Sequence, residues 1–208
     1  VETGVWKGGS SMVAARVLRA SQRIPECPQM ARTMWLFDSF QGLPPPAAAD
    51  SGQDKGGVRM DPPGSYRFRG GVHQVVELYK RAGFNATAVH ASTLPSLDPA
   101  KLPGEVLMVQ GWFNETVRKA PVRQIATLRL DGDMYSSTMD AIRAFYPKLI
   151  PGGFLLVDDY GWWVQCKHAV DTYFIRERGW MPGFVRDDPT GVWMQKPLSE
   201  PSAERRMP

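Results

Sequence analysis

LRLDGDMYSSTMDAIRAFYPKLIPGGFLLVDDY, residues Leu128 to Tyr160, is the stretch that decides the fold. An apolar run, Ile125 to Leu130, stops at Asp131-Gly132-Asp133. A helix-like segment follows, then Pro151-Gly152-Gly153, then a second apolar run, Phe154 to Val157, which stops at Asp158-Asp159. Strand, acidic tip, crossover helix, strand, acidic tip is the order of a parallel βαβ unit. Such a unit puts the C-terminal ends of both strands on one sheet edge, where open α/β sheets bind ligands. Four carboxylates crowded there repel one another, and a divalent cation relieves this. Oxygen-only ligands point to a hard ion such as Mg²⁺ rather than Zn²⁺. An Asp after a strand also serves as a turn former or helix cap. Asp133 is placed to cap a helix starting near Ser136 or Ser137; two acidic pairs closing two strands exceed what turns need.

Outward from this unit, strands and helices alternate. Val1 to Val5 reads as a strand end that runs into Gly4, Gly8 and Gly9 and then into a helix over about Ser10 to Ala20. Ser10 or Ser11 can cap it, and Met12, Val13, Ala15, Val17 and Leu18 supply an apolar face. Glycines at a strand-to-helix turn let backbone approach a ligand closely. The spacing is not G-x-G-x-x-G, and the acidic Glu2 suits an amino group better than a phosphate. Thr33 to Phe37 is a second strand closed by Asp38-Ser39-Phe40; an Asp there accepts hydrogen bonds from ribose hydroxyls or simply turns the chain. Residues 41–68 form a long Pro/Gly/Ala-rich loop that could cover a pocket. Residues 70–83 are helical, with Val72, Val75, Val76 and Tyr79 on one face and His73 solvated or packed.

Residues 85–104 read as a Pro-containing connection that includes the sequon Asn85-Ala86-Thr87. Val106 to Val109 is the third strand; it ends in Gln110-Gly111-Trp112-Phe113, where an aromatic side chain can stack on a planar ring or join the core. Helices follow over Ser137 to Leu149 and Trp163 to Arg178, the second with Val170, Tyr173 and Phe174 inward and Gly179 at its end. Phe184-Val185 and Val192 to Met194 alternate as a closing antiparallel pair around a turn at 187–191. The fold class is α/β, a three-layer sandwich with a mostly parallel sheet and a C-terminal antiparallel hairpin.

The 208 residues fit one domain over 1–197 with a polar tail over 198–208. Hydrophobic residues make up 43% of the chain, enough for a sizeable core, yet no run approaches the roughly 20 apolar residues that span a bilayer. Cys27 and Cys166 stand in unlike contexts and form neither a disulfide framework nor a zinc pattern, so a reducing, cytoplasmic setting is expected. Lys and Arg are scattered and the net charge is only +4, which argues against a nucleic-acid partner. The chain starts at the end of a strand and reads as a fragment, or as a start with an upstream segment removed.

ETGVWKGGS, DSFQGLPPP, GWFNET, LRLDGDMYSST, YPKLIPGGF, VDDYG and the CKHAVDTYF helix together resemble the macrocin O-methyltransferase (TylF-type) family, in the family's order and over nearly the whole chain. The resemblance implies a Rossmann-like class I methyltransferase that binds S-adenosyl-L-methionine (SAM) and Mg²⁺. It implies Glu2, Thr3 and Gly4 at the methionine end of the cofactor and Asp38 and Ser39 at its ribose. Gly111 and Trp112, at the same edge, join the cofactor-binding group. It further implies Asp131, Asp158 and Asp159 as metal ligands and Asp133 as general base. The acceptor would be a small hydroxylated, sugar-like molecule, and a homo-oligomer is compatible with the family. Family members carry an N-terminal helical segment before the first strand, and residues 85–104 form a longer connection than the family leads one to expect.

Two other classes fit parts of the pattern. Asp131-Gly132-Asp133 is a D-x-D such as metal-dependent glycosyltransferases use on nucleotide sugars; Glu2 and Asp158-Asp159 suit that poorly. A methyltransferase-like domain that binds SAM without turnover is the non-catalytic alternative.

Overall fold

The computed structural model describes residues 1–24, 32–46, 48–50, 62–98, 101–102, 105–186 and 188–201. The chain divides into two compact units, residues 1–42 with 64–121 and residues 43–63 with 122–208.

In the first unit four parallel strands run in the order β3-β4-β2-β1. These are β1 (Glu2–Thr3), β2 (Met34–Asp38), β3 (Ala86–His90) and β4 (Val106–Gln110). The four apolar residues of β2 and those of β4 are buried without alternation, as expected of central parallel strands covered on both faces. The register pairs Thr3 with Phe37, Asp38 with Gln110 and His90 with Gln110, so these strands end together along one edge. β3 lies inside the stretch that reads as a connection. It pairs along one side only, its middle residues are half-buried, and a 3₁₀ turn with Pro95 follows at once, so it carries no period-2 pattern.

Helix α1 (Gly9–Ser21) follows β1, and α2 (Gly71–Arg81) precedes β3. The sequence places the face of α2 correctly: Val72, Val75, Val76 and Tyr79 are all buried, and His73 is exposed. The face of α1 agrees with expectation in part. Ala15 is buried and Met12 and Leu18 are half-buried as expected, but Ser11 is buried too, while Val13 and Val17 are each 64% exposed. Its N-cap is Gly8, with no side-chain cap from Ser10 or Ser11. The cause is close approach: a Cβ on Gly8 would sit 3.0 Å from Val75 and 3.1 Å from Tyr79. Small side chains at i and i+4 face the core so that these backbones can meet.

In the second unit β5 (Ile125–Leu130) and β6 (Leu149–Val157) are parallel, and β7 (Val192–Gln195) closes antiparallel to β6. Val185 adds one antiparallel bridge to Trp193, and Asp187 of the expected turn lies outside the described residues. Helix α4 (Tyr135–Phe145) crosses from β5 to β6, while the first unit's α3 (Phe113–Thr116) is a single turn after β4. The expected helix to Leu149 and strand from Phe154 are corrected: Tyr146–Lys148 is a 3₁₀ turn with Pro147 at its start, and β6 begins at Leu149. Leu149 already pairs with Ile125, and the extra residues at Pro151-Gly152-Gly153 are taken up by a bulge. Helix α5 (Val164–Thr172) continues as a π-helical turn, Tyr173–Arg178, and stops at the left-handed Gly179. Glu200 of the predicted tail is ion-paired with Arg178, and residues 202–208 lie outside the described set. Among the described residues no helix is long and apolar enough to cross a membrane.

Candidate active site

The first unit's strand ends carry the residues expected to hold a cofactor. Glu2 and Thr3 are buried at the end of β1. Gly4 turns the chain at φ 85° and donates to the Phe37 carbonyl (2.9 Å). Burial pushes the Tyr79 hydroxyl up; the nearby Ser11 hydroxyl opposes this and the charge of Glu2 adds to it, so Glu2, Ser11 and Tyr79 lie close together beneath the turn. Tyr79 also donates to the Gly8 carbonyl (3.1 Å).

Asp38 is the fastener of this edge. Its Oδ2 accepts from the amides of Val5 (2.7 Å) and Trp6 (2.9 Å), and its Oδ1 from that of Phe40 (2.6 Å). Three of a carboxylate's roughly four acceptor directions are thereby in use. Ser39 is buried and ties its own loop, accepting from Gln41 (3.0 Å) and donating to Gly42 (3.2 Å). Gly111 donates to the Asp38 carbonyl (3.0 Å) at φ 150°, with no room for a side chain: a Cβ would meet Thr116 at 2.8 Å and Ala91 at 2.9 Å. Trp112 is half-buried at the N-cap of α3.

The second unit carries the acidic tips. The β5–β6 register ends on Leu130 opposite Val157, and the Asp158 amide donates to the Leu130 carbonyl (2.9 Å), so Asp131 and Asp158 leave the sheet side by side. Asp131, Asp133 and Asp159 converge: each offers a carboxylate oxygen, and these atoms all lie within 4.8 Å of one another. Asp158 turns away, with a side chain 43% exposed and bonded to Arg129 (2.7 Å). The structure thus gathers Asp133, expected as the base, with two of the three expected ligands.

The electrostatics of the cluster are strained. Burial first, then Asp158 and Asp133, push Asp131 up to about 7 against the pull of Arg129. Burial and then Asp133 and Asp131 push Asp159 up to about 9. Asp159 Oδ2 is buried and has no hydrogen-bond partner among the described residues. Asp133 holds a left-handed backbone (φ 57°), a conformation that costs an Asp energy and persists where its surroundings impose it. Trp6 (φ 48°) and Phe40 (φ 56°), near the ends of β1 and β2, share this feature. A hard divalent cation suits these donors: they are all oxygen, mutually repelling and one atom short of a partner.

Two contributors escape the sequence reading. Arg129 donates to both Asp131 and Asp158; its position two residues before Asp131 on a strand already puts both side chains on one face. Asp50, in the long loop, is 1% exposed and caps α4, accepting from the Ser136 amide (3.1 Å) and hydroxyl (2.8 Å). Asp133 is not the cap; the N-cap position belongs to Met134. Nothing in the Pro/Gly/Ala-rich sequence around Asp50 signals that role, and residues 47 and 51–61 lie outside the described set. Cys166 is free and buried, and burial pushes its thiol well up; Cys27 is outside the described residues.

The chain matches the Macrocin-O-methyltransferase (TylF) family over residues 1–90 and 100–196. It is 37% identical over 173 residues to demethyldecarbamoylnovobiocin O-methyltransferase of Streptomyces niveus, covering 83% of this chain and 56% of that protein. It is 34% identical over 196 residues to mycinamicin III 3''-O-methyltransferase of Micromonospora griseorubida, covering 94% of this chain and 67% of that protein. Among solved structures, the O-methyltransferase NovP superposes with a TM-score of 0.70 at 30% identity, over 94% of this chain and 70% of that one. The calicheamicin methyltransferase CalS11 shares the fold, with a TM-score of 0.65 at 20% identity over 93% and 70% of the two chains. This chain therefore belongs to the macrocin-O-methyltransferase (TylF) family.

Proposed function

We propose that this chain carries the catalytic part of an O-methyltransferase that moves a methyl group from SAM to a hydroxyl of a sugar or similar vicinal diol, with Mg²⁺ assisting. The convergence of Asp131, Asp133 and Asp159, with the orphaned Asp159 oxygen, is the observation that carries the reading. The printed names of the relatives support methyl transfer to oxygen, and family membership favours it over nucleotide-sugar chemistry at Asp131-Gly132-Asp133.

Each group then has a task. Glu2, Thr3 and Gly4 receive the methionine end of the cofactor, where a buried carboxylate suits the ammonium. Asp38 and Ser39 shape the ribose end, Asp38 chiefly by fixing the amides of Val5 and Trp6. Gly111 and Trp112 close the edge beyond it. Asp131, Asp158 and Asp159 are the residues that would hold the ion, Asp158 being the one that Arg129 bonds without it. A divalent ion bound there supplies a Lewis acid that lowers the pKa of a hydroxyl acceptor. Asp133 removes the hydroxyl proton. The remaining contribution is alignment of the hydroxyl with the sulfonium methyl.

The test is calorimetric titration of the protein with S-adenosylhomocysteine and with Mg²⁺, then turnover on sugar acceptors. Micromolar binding of the cofactor product and metal-dependent turnover are expected. Asp133→Asn should cut turnover at least about a hundredfold while retaining Mg²⁺ binding. Loss of Mg²⁺ binding in that variant would reassign Asp133 as a ligand, and no binding of either compound would refute the proposal.

A further inference from the structure

We propose that Arg129 is a built-in counter-cation of the carboxylate cluster, a positioning residue that steadies the metal-free site and weakens its hold on the divalent ion. The inference rests on the metal reading above. Arg129 stands one residue before the end of β5, on the same face as Asp131, with a side chain only 20% exposed. Its Nη1 donates to Asp131 Oδ2 and its Nη2 to Asp158 Oδ1, both at 2.7 Å. The planar guanidinium is thus shared between carboxylates from two adjacent strands, rather than spent on one.

Two consequences follow from that geometry. The guanidinium engages Asp131 through Oδ2 and holds Asp158 outside the group formed by Asp131, Asp133 and Asp159. It also places a permanent positive charge, which no accessible pH removes, against a site of four carboxylates. Without a metal this charge offsets their repulsion. With a metal it repels the ion and competes for Asp158. The site is therefore built for an ion that exchanges, and Arg129 sets the ease of exchange.

Arg129→Gln and Arg129→Lys separate this role from a purely geometric one. Mg²⁺ and Mn²⁺ affinities are measured by calorimetry at pH 8, and thermal unfolding is followed in EDTA and in saturating Mg²⁺. The expected result for Arg129→Gln is metal binding about tenfold tighter, because one opposing unit charge is gone. Its melting temperature should fall in EDTA and recover towards wild type in Mg²⁺. Arg129→Lys keeps the charge and should bind metal within about threefold of wild type. Unchanged or weaker binding by the Gln variant, or the same loss of melting temperature with and without Mg²⁺, would overturn the proposal. If the Gln variant does not fold, the Lys variant decides: a tenfold or greater loss of metal affinity would mean that fork geometry matters and the charge does not. Wild-type protein that binds no divalent ion would instead remove the metal reading, and this inference with it.

Discussion

Replacing a candidate metal ligand should make the metal-free protein more stable. Asp159→Asn is the clearest case, because Asp159 Oδ2 has no hydrogen bond to lose among the described residues. Asp131, Asp133 and Asp159 present oxygens within 4.8 Å of one another, and two unit charges at that distance repel by about 3 kcal/mol at an effective dielectric constant of about 20. Solvent at these half-buried side chains screens this to about 2 kcal/mol, which the folded chain bears as repulsion or, where Asp159 keeps its proton, as the cost of holding that proton. That corresponds to a rise in melting temperature of about 4–8 °C for a chain of this size. The pH dependence has a defined sign. Asp159 is raised from 3.8 to about 9 and Asp131 from 3.8 to about 7, so the folded state keeps protons that the unfolded chain releases. The contribution of these two carboxylates to metal-free stability is then fully present below about pH 4 and is lost as pH rises towards 9. The assay is thermal unfolding in EDTA, and again in excess Mg²⁺, across that range. Wild type should lose stability with pH in EDTA and regain it with Mg²⁺. The Asn variant should show a shallower slope, a higher melting temperature at pH 8 and little response to Mg²⁺. A lower melting temperature at pH 8 in EDTA, or a wild-type response to Mg²⁺, would refute the repulsion argument.

Two further substitutions probe the supports of the site. Asp50→Ala removes a buried charged cap from the first turn of α4 and should cost about 2 kcal/mol in urea unfolding, with Mg²⁺ affinity nearly unchanged; a cost within error would mean that Ser136 finds another partner. Gly111→Ala forces a Cβ against Ala91 and Thr116 and should cost about 1–3 kcal/mol while weakening S-adenosylhomocysteine binding by calorimetry. Full stability in that variant would show that the β4 edge can shift.

The central strands and the acidic tips were legible because they rest on strong local signals. Unbroken apolar runs that stop at polar residues mark β2 and β4, a mainly apolar run interrupted by Thr127 and Arg129 marks β5, and the 3.6 period of α2 places all four of its buried residues. The errors have physical causes. β3 is a half-buried edge strand, whose pairing comes from β4 rather than from its own pattern. The face of α1 is rotated from the reading because Val13 and Val17 outweigh Ser11 in hydrophobicity, whereas the packing needs the smallness of Ser11 and Ala15. Aspartates were legible as a group, and their partners were not. Which carboxylate meets Arg129, and which turns inward, depends on side-chain directions that no spacing encodes. The cap from Asp50 reaches Ser136 across a sequence separation of 86 residues, beyond any local motif.

The bulge at Pro151-Gly152-Gly153 ties the chemistry to a place far from it. It absorbs the extra residues between the Ile125–Leu149 and Thr127–Phe154 pairs, and so determines that Leu130 ends opposite Val157. A slip of one residue would turn each side chain of β6 to the opposite face and separate the two acidic tips. Gly153 has no space for a side chain: a Cβ would lie 2.9 Å from the carbonyl oxygens of Ala126 and Ile150. A glycine about 16 Å of strand away from Asp158 thus serves the same site as the carboxylates, since it keeps their alignment without touching them.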